Sequence, residues 1–234
     1  MINNIKIEIC IGNIEDAIIA SQYPIDRIEL NSALQLGGLS PTLETIKYLK
    51  KHIDVPICCM CRSRAGDFSY TDLEMQIMYE DAKNMLDVGA DGIVFGFLNN
   101  DKTINYDHTK KMTVLIHSYN KEAIFHKAFD EIDNLDQAVE TLIDLKIDRI
   151  LTSGKAIYPD ILKGCENIKL LNDKYHEKIQ FLPGGGVRVE NIIDVLNISG
   201  VKQIHFTSKK QNDKGDISLD EIQLQAFIDK LKQF

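Results

Sequence analysis

Two short runs near the start of the chain alternate isoleucine or leucine with polar residues that could do chemistry. Glu8 and Cys10 are among the polar residues of the first run, and Glu29 and Asn31 among those of the second. Successive side chains of a β-strand point to opposite faces, so the polar residues of each run share one face. If the strands are neighbours, we expect Glu8 and Glu29 side by side, with Cys10 and Asn31 one layer higher. Paired carboxylates are suited to acid/base chemistry.

Cationic side chains follow other predicted strands and could meet this acidic pair. Arg62 and Arg64 come after the third strand, His126 after the fifth, and His205 lies in the eighth. Buried carboxylates are costly unless cations or hydrogen bonds accompany them. The same alternation predicts that Arg62, His126 and His205 converge on the acids at one rim.

Two interpretations of this polar cluster stay open. In the functional one, His126 acts as acid or base and Glu8 or Glu29 orients or shares the proton, beside an anion held by arginines. In the structural one, the cluster is a neutralised network that fills the interior, to which Lys6 and Arg27 would contribute.

Three consecutive glycines, Gly184, Gly185 and Gly186, follow the seventh strand and precede a helix. Glycine lets backbone N–H groups approach a ligand, and a helix N-terminus favours anions. The next strand is followed by Thr-Ser-Lys-Lys (207–210), and the loops after strands seven and eight often bind phosphate in barrels. The alternative is a tight turn that needs positive φ.

Metal binding depends mainly on one thiol. Cys58, Cys59 and Cys61 crowd one strand but alternate between its faces, which favours a core role for small buried thiols. Cys10 lies beside the polar face and is the best thiol candidate, although its predicted neighbour is Asn31 and Cu(I) prefers at least two soft ligands. No CxxC or HExxH spacing occurs, so a tight structural zinc site is not expected.

The elements that must position these residues recur along the chain. Eight Ile/Val-rich runs begin about 28 residues apart, with helical-period stretches between them. This spacing predicts an α/β fold, a (β/α)8 TIM-type barrel, in which all 234 residues form one domain. The polar stretch 208–217 is predicted to be a loop before the last helix. Function on such a barrel lies at the carboxyl ends of the strands.

Charge and composition exclude some classes of partner. The net charge of −8 argues against nucleic acid and anionic membranes, because like charges repel. No apolar run approaches the roughly 18 residues of a membrane helix. Five cysteines, three of them within one strand, indicate a reducing compartment and hence a cytoplasmic protein.

Five motifs in order make the chain resemble the CutC family. They are Ile-Glu-Leu-Asn-Ser-Ala-Leu-Gln-Leu-Gly-Gly-Leu-Ser-Pro-Thr (28–42), Met-Cys-Arg-Ser-Arg-Ala-Gly-Asp-Phe-Ser-Tyr (60–70), Phe-His-Lys-Ala-Phe-Asp (125–130), Arg-Ile-Leu-Thr-Ser-Gly (149–154) and Pro-Gly-Gly-Gly-Val-Arg (183–188). The resemblance implies a (β/α)8 barrel, a cytoplasmic homo-oligomer (dimer or tetramer), and a role in copper homeostasis with copper as the bound ion.

The resemblance also suggests residues for the site. The family is proposed to bind Cu(I) through cysteines that end its first two strands; Cys10 matches the first, and Asn31 replaces the second. Both arginines of the third-strand motif are kept. The fifth-strand motif keeps His126 and Asp130, with Lys127 where the family has arginine, so Asp130 joins the candidate catalytic residues.

Three hypotheses follow from these residues. The protein binds or carries copper, with Cys10 as a ligand. Alternatively, it is an enzyme that acts by acid/base chemistry on a small anionic or phosphorylated metabolite, which Arg62, Arg64, His205 and the glycine loop would bind. The third hypothesis is a barrel without catalytic activity that acts through its oligomer surfaces.

Overall fold

Eight short parallel strands form the centre of the protein. In this computed structural model, which describes residues 1–211 and 217–234, they are β1 (Lys6–Ile11), β2 (Arg27–Leu30), β3 (Ile57–Met60), β4 (Gly92–Phe95), β5 (Glu122–Phe125), β6 (Arg149–Thr152), β7 (Gln180–Pro183) and β8 (Gln203–Phe206). Hydrogen-bonded neighbours follow the order β7-β6-β5-β4-β3-β2-β1-β8. Between β7 and β8 the contact runs through a side chain, because Gln203 Nε2 donates to the Phe181 carbonyl oxygen over 3.0 Å.

Helices alternate with these strands and surround them. They are α1 (Ile14–Ala20), α2 (Leu43–His52), α3 (Asp72–Asp87), α4 (Tyr106–Ser118), α5 (Leu135–Asp144), α6 (Cys165–Tyr175), α7 (Ile192–Ser199) and α8 (Glu221–Lys232). The predicted (β/α)8 barrel is therefore confirmed. Helix α7 begins at Ile192, four residues after Arg188, because Asn191 Oδ1 accepts from the Arg188 N–H over 2.8 Å and holds a turn there.

The predicted alternation of faces holds in the barrel strands. Ile7 and Ile9 of β1 are fully buried in the core shared with the outer helices, whereas Glu8 points into the barrel among polar side chains. A second, small apolar cluster of Cys58, Met60, Val94 and Ile124 lies inside the barrel. The interior is thus filled partly by aliphatic groups and partly by charges.

The register between β1 and β2 corrects one prediction. Glu8 lies opposite Arg27, and Cys10 lies opposite Glu29. The two glutamates are therefore one two-residue step apart along the barrel and not side by side. Staggering of neighbouring strands is a geometric requirement of barrel closure. It also keeps the two carboxylates from lying directly against each other.

Beyond the barrel, β9 (Lys209–Gln211) and β10 (Ile217–Leu219) form an antiparallel pair. They occupy both ends of the stretch predicted as a loop; its middle, 212–216, lies outside the described residues. Among the helices that the structure describes, none combines the length and apolarity needed to cross a bilayer.

Candidate functional site

A cavity of about 240 Å³ opens at the carboxyl ends of the barrel strands. Its walls come from the ends of β1, β2, β3 and β8, from the residues that follow β5, and from the glycine loop that follows β7. Apolar side chains such as Met60, Phe68 and Leu151 line part of it, and charged or polar side chains line the rest. This is the end of the barrel at which the sequence predicts function.

Glu8 lies below this cavity in a buried ionic network. Arg27 Nε donates to one carboxylate oxygen of Glu8 over 2.8 Å, and His205 Nδ1 lies 2.9 Å from the other. Arg149 Nη2 is 3.6 Å from Glu8 and 2.9 Å from Glu122. Although burial alone would raise it, the pKa of Glu8 is held well below its usual value, mainly by Arg149, His205 and Arg27. Glu8 is therefore a charged anchor of the interior.

Three potential metal ligands meet at the floor of the cavity. One donor atom each from Cys10, Glu29 and His205 lies within 4.8 Å of the other two, and all three residues are buried. They come from β1, β2 and β8, which are neighbours in the barrel. Burial and the nearby Glu29 carboxylate raise the pKa of the Cys10 thiol well above its usual value. Burial alone would lower the pKa of His205, but Glu29 and Glu8 outweigh burial and raise it.

Asn31 supports this cluster from the end of β2. Its amide Nδ2 donates to Glu29 Oε2 over 2.7 Å and lies 3.4 Å from Cys10 Sγ. The other oxygen of Glu29, Oε1, is buried and has no hydrogen-bond partner among the described residues. One oxygen of this carboxylate therefore keeps an unused hydrogen-bonding capacity.

His126 lines the cavity and is a neutral ring with one unpaired nitrogen. Its Nδ1 accepts from the Ala128 N–H over 3.1 Å, which places the proton of a neutral ring on Nε2. That nitrogen is buried and unpaired within the described part of the chain. Burial and, secondarily, the Arg62 charge lower the pKa of His126 to about 3. The imidazole is therefore neutral at physiological pH.

Arg62 is a buried cation held by backbone carbonyls. Its Nη1 points at the carbonyl oxygens of residues 36–38 at 3.3–3.4 Å, and its Nη2 donates to the Gly66 carbonyl over 2.7 Å. The guanidinium lies 4.9 Å from the centroid of the Phe68 ring, which is 4.7 Å from the His126 ring. Carbonyl dipoles solvate the charge but do not neutralise it, so the cavity wall stays positive.

The glycine loop lines the side of the cavity formed by β7 and β8. Gly185 and Gly186 have φ angles of 92° and 112°, a region that glycine adopts without strain. A Cβ at Gly185 would lie 2.8 Å from Lys127 Nζ, and one at Gly186 would lie 2.1 Å from the Pro159 carbonyl oxygen. Gly184 does not line the cavity; a Cβ there would meet Leu151 at 2.7 Å.

Comparisons of the sequence and of the structure with known proteins point to the same family. The model of the CutC family matches residues 5–210. A CutC family protein from Treponema denticola is 41% identical over 211 residues, 90% of this chain and 84% of its own. The human copper homeostasis protein cutC homolog is 34% identical over 213 residues, 91% of this chain and 77% of its own.

The chain belongs to the CutC family. The crystal structure of the CutC protein from Streptococcus agalactiae superimposes with a TM-score of 0.80 at 30% identity, and covers 86% of this chain and 98% of that one. The resemblance seen in the five sequence motifs is thus confirmed. At the position where the resemblance implies a second cysteine, this chain has Asn31.

Two residues of the CutC motifs lie away from the cavity. Arg64 follows Arg62 by two positions, but its Nε donates to Glu74 over 2.6 Å and its guanidinium stacks 4.8 Å from the centroid of Tyr70. Its place beside the anion, expected from the sequence, therefore has no support in the geometry, because Glu74 at the start of α3 holds it elsewhere.

Asp130, a candidate catalytic residue by resemblance, is likewise engaged in structure. Its carboxylate accepts from the hydroxyl of Thr152 and from the N–H and hydroxyl of Ser153, the last two over 2.9 Å. It also lies 3.3 Å from the Lys155 N–H. These bonds fix the loop after β6, and Asp130 does not line the cavity.

Sequence reasoning missed two arginines, Arg149 in the network below the cavity and Arg188 in the cavity wall. Arg149, fully buried in the interior, shares with Arg27 the local pattern Ile-Asp-Arg-Ile, a signal that could have placed both on the inner face. Arg188 follows the glycine loop and lines the cavity, with its Nη2 donating to the Tyr158 hydroxyl over 2.8 Å. Lys6, which was expected to join the interior network, is exposed.

Proposed function

We propose that the protein acts in copper homeostasis by binding a copper ion as cargo at Cys10, Glu29 and His205. The observation that carries the proposal is the convergence of a thiol, a carboxylate and an imidazole within 4.8 Å at the floor of one cavity. The relatives named as copper homeostasis proteins indicate which metal to test first.

The donor set fits a transition metal better than a hard cation. Thiolate sulfur and imidazole nitrogen suit copper and zinc, whereas calcium and magnesium take oxygen ligands. Among divalent ions of the first transition row, a site with such donors binds copper most tightly. Asn31 holds Glu29 and faces the thiol, which orients two of the three ligands before the metal arrives.

Protonation of the ligands gives the proposed binding a strong pH dependence. The raised pKa of Cys10 keeps the thiol protonated in the metal-free protein. The raised pKa of His205 favours its protonated form beside Glu8 and Glu29. Copper must displace protons to reach the thiolate and the imidazole. Affinity therefore falls as pH is lowered, since the ion then competes with more protons.

The test is competition for Cu(I) against a chromogenic chelator under reducing, anaerobic conditions. We expect one ion per chain, and Cys10→Ser or His205→Gln should weaken binding by more than the roughly 10–100-fold typical of losing an outer-shell partner. Cys165→Ser is the matched control, because this buried thiol lies in α6, away from the cavity. Wild-type copper affinity in Cys10→Ser would refute the site.

A second candidate function is acid/base catalysis on a small anionic metabolite. The specific observation in its favour is a pair of buried polar atoms without partners among the described residues, His126 Nε2 and Glu29 Oε1, in two residues that line one cavity. The neutral imidazole would donate a hydrogen bond, and the carboxylate would accept a proton. Deuterium incorporation from heavy water into an anionic metabolite, lost in Glu29→Gln, would support this function; wild-type exchange in that variant would exclude Glu29 as the base.

The remaining proposals come from the sequence and the family. The barrel is proposed to be one domain over 1–234, to work in the cytoplasm and to form a homo-oligomer. Buried, unpaired cysteines support a reducing compartment, because all five thiols are free.

A further inference from the structure

Positive charge dominates the cavity of a protein whose net charge is −8. Among the described residues, four cations line it, namely Arg62, Lys127, Arg188 and Lys209, against one carboxylate, that of Glu29. Within the described residues, no carboxylate lies within ion-pair distance of any of the four; Arg62 and Arg188 bond only to carbonyl and hydroxyl oxygens. Unpaired cations gathered in a concave site attract anions.

The glycine loop adds uncharged donors to this cationic wall. The backbone N–H groups of Gly185, Gly186 and Val187 make no hydrogen bond in the part of the chain that the structure describes, and all three residues line the cavity. Successive free N–H groups in a turn of this kind form a concavity that binds anions. Lys127 Nζ lies directly over Gly185, which brings an ammonium group to the same place.

We infer that this wall binds the phosphoryl group of a small phosphate monoester. A phosphoryl group carries a charge of about −1.5 to −2 and three strong acceptor oxygens. The cavity wall offers more donors than the two oxygens of a carboxylate would use, namely three N–H groups, Lys127 and Arg188. The three oxygens of a phosphoryl group match these donors better. The inference deepens the second candidate function and does not depend on copper binding.

The size and lining of the rest of the cavity limit the body of the ligand, which is the part that carries the phosphoryl group. At about 240 Å³ it is smaller than the roughly 300–1,000 Å³ of pockets for drug-sized molecules, so the body is small. Two residues that line the cavity have an unpaired polar atom: His126 Nε2 would donate to an acceptor on the ligand, and Glu29 Oε1 would accept from a donor such as a hydroxyl group. Phe68 and Leu151 offer apolar surface to its carbon atoms. The ligand class is therefore a hydroxylated phosphate monoester.

The experiment measures stabilisation and binding of simple probes by the full-length protein. Thermal denaturation is followed against inorganic phosphate, glycerol 3-phosphate, acetate and chloride at constant ionic strength, and ³¹P NMR titration gives the dissociation constants. We expect saturable binding of both phosphates, with tighter binding of the ester. We expect no saturable binding of acetate or chloride. Lys127→Gln should weaken phosphate binding at least about tenfold, since it removes a charge-assisted hydrogen bond.

Matched variants separate the possible causes of a change. Lys178→Gln removes an equal charge at the opposite end of the barrel, just before β7, and should leave phosphate affinity unchanged. Cys10→Ser should keep phosphate binding while losing copper, so the failure of either site is visible by itself. Equal stabilisation by acetate and phosphate, or equal effects of Lys127→Gln and Lys178→Gln, would overturn the inference.

Discussion

Glu8 of β1 and Arg27 of β2 lie directly opposite each other inside the barrel, joined by a 2.8 Å hydrogen bond from Arg27 Nε. His205 and Arg149 approach the same carboxylate from β8 and β6. The Glu8 carboxylate is thus the shared counter-charge of three cationic side chains. His205 contacts Glu8 and also lines the cavity, so this network supports one of the candidate copper ligands.

Removing the charge of Glu8 should lower the free energy of unfolding substantially. Glu8→Gln leaves Arg27 and Arg149 buried with less counter-charge, and breaking a buried ion pair costs about 3–5 kcal/mol. Glu122→Gln is the matched control: it also pairs with Arg149, but its side chain is 43% exposed, so we expect about 1 kcal/mol or less. Urea denaturation measures both. A Glu8→Gln variant as stable as Glu122→Gln would show that the network is not a structural support.

His126 should stay neutral over the whole physiological pH range. Its folded pKa is about 3, whereas an unfolded histidine titrates near 6.5. Between these two pKa values the unfolded state binds one more proton than the folded state. The free energy of unfolding therefore falls as pH drops from about 6.5 to about 3, by up to about 1.4 kcal/mol per pH unit.

Imidazole NMR shifts followed from pH 8 to pH 4.5 measure this directly. The folded protein should show no His126 titration and a proton on Nε2, and the urea-unfolded protein should show an ordinary titration. His126→Gln should reduce the loss of stability on acidification. A midpoint near pH 6 in the folded state would contradict the buried, neutral state of the ring, in which Nδ1 accepts a hydrogen bond and Nε2 carries the proton.

The recurrence of eight runs about 28 residues apart was enough to predict the barrel, and alternation along the strands was enough to predict the inward direction of Glu8, Glu29 and Cys10. It could not predict their relative heights, because the stagger between strands is a property of barrel closure and leaves no mark within one strand. Side-chain direction after the strands was equally hidden. Arg62 and Arg64 have the same parity, yet only Arg62 reaches the cavity, since the capping box that begins α3 holds Glu74 against Arg64.

Asp130 should act on the fold and not on the ligand site. Asp130→Asn replaces one accepting oxygen by a donor that faces the Ser153 N–H, so we expect a loss of about 2 kcal/mol, as for hydrogen bonds to charged groups. Asp133→Asn is the control, because Asp133 is fully exposed and its ion pair with Lys155 is long, at 3.7 Å. Denaturation and copper competition are measured on both variants. Loss of copper affinity without loss of stability in Asp130→Asn would assign Asp130 to the site instead.

Asn31→Cys should convert the mixed cluster into one with two soft ligands. The Asn31 amide nitrogen lies 3.4 Å from Cys10 Sγ, so a thiol at this position can reach an ion bound to Cys10. Because soft thiolates select Cu(I), we expect the affinity for Cu(I) to rise at least about tenfold and the preference over Zn(II) to increase. Asn31→Ser, of similar size but without a soft donor, should weaken binding slightly through the lost bond to Glu29. Chelator competition under reducing conditions compares the two variants, and equal Cu(I) affinities would show that Cys10 is not where the ion binds.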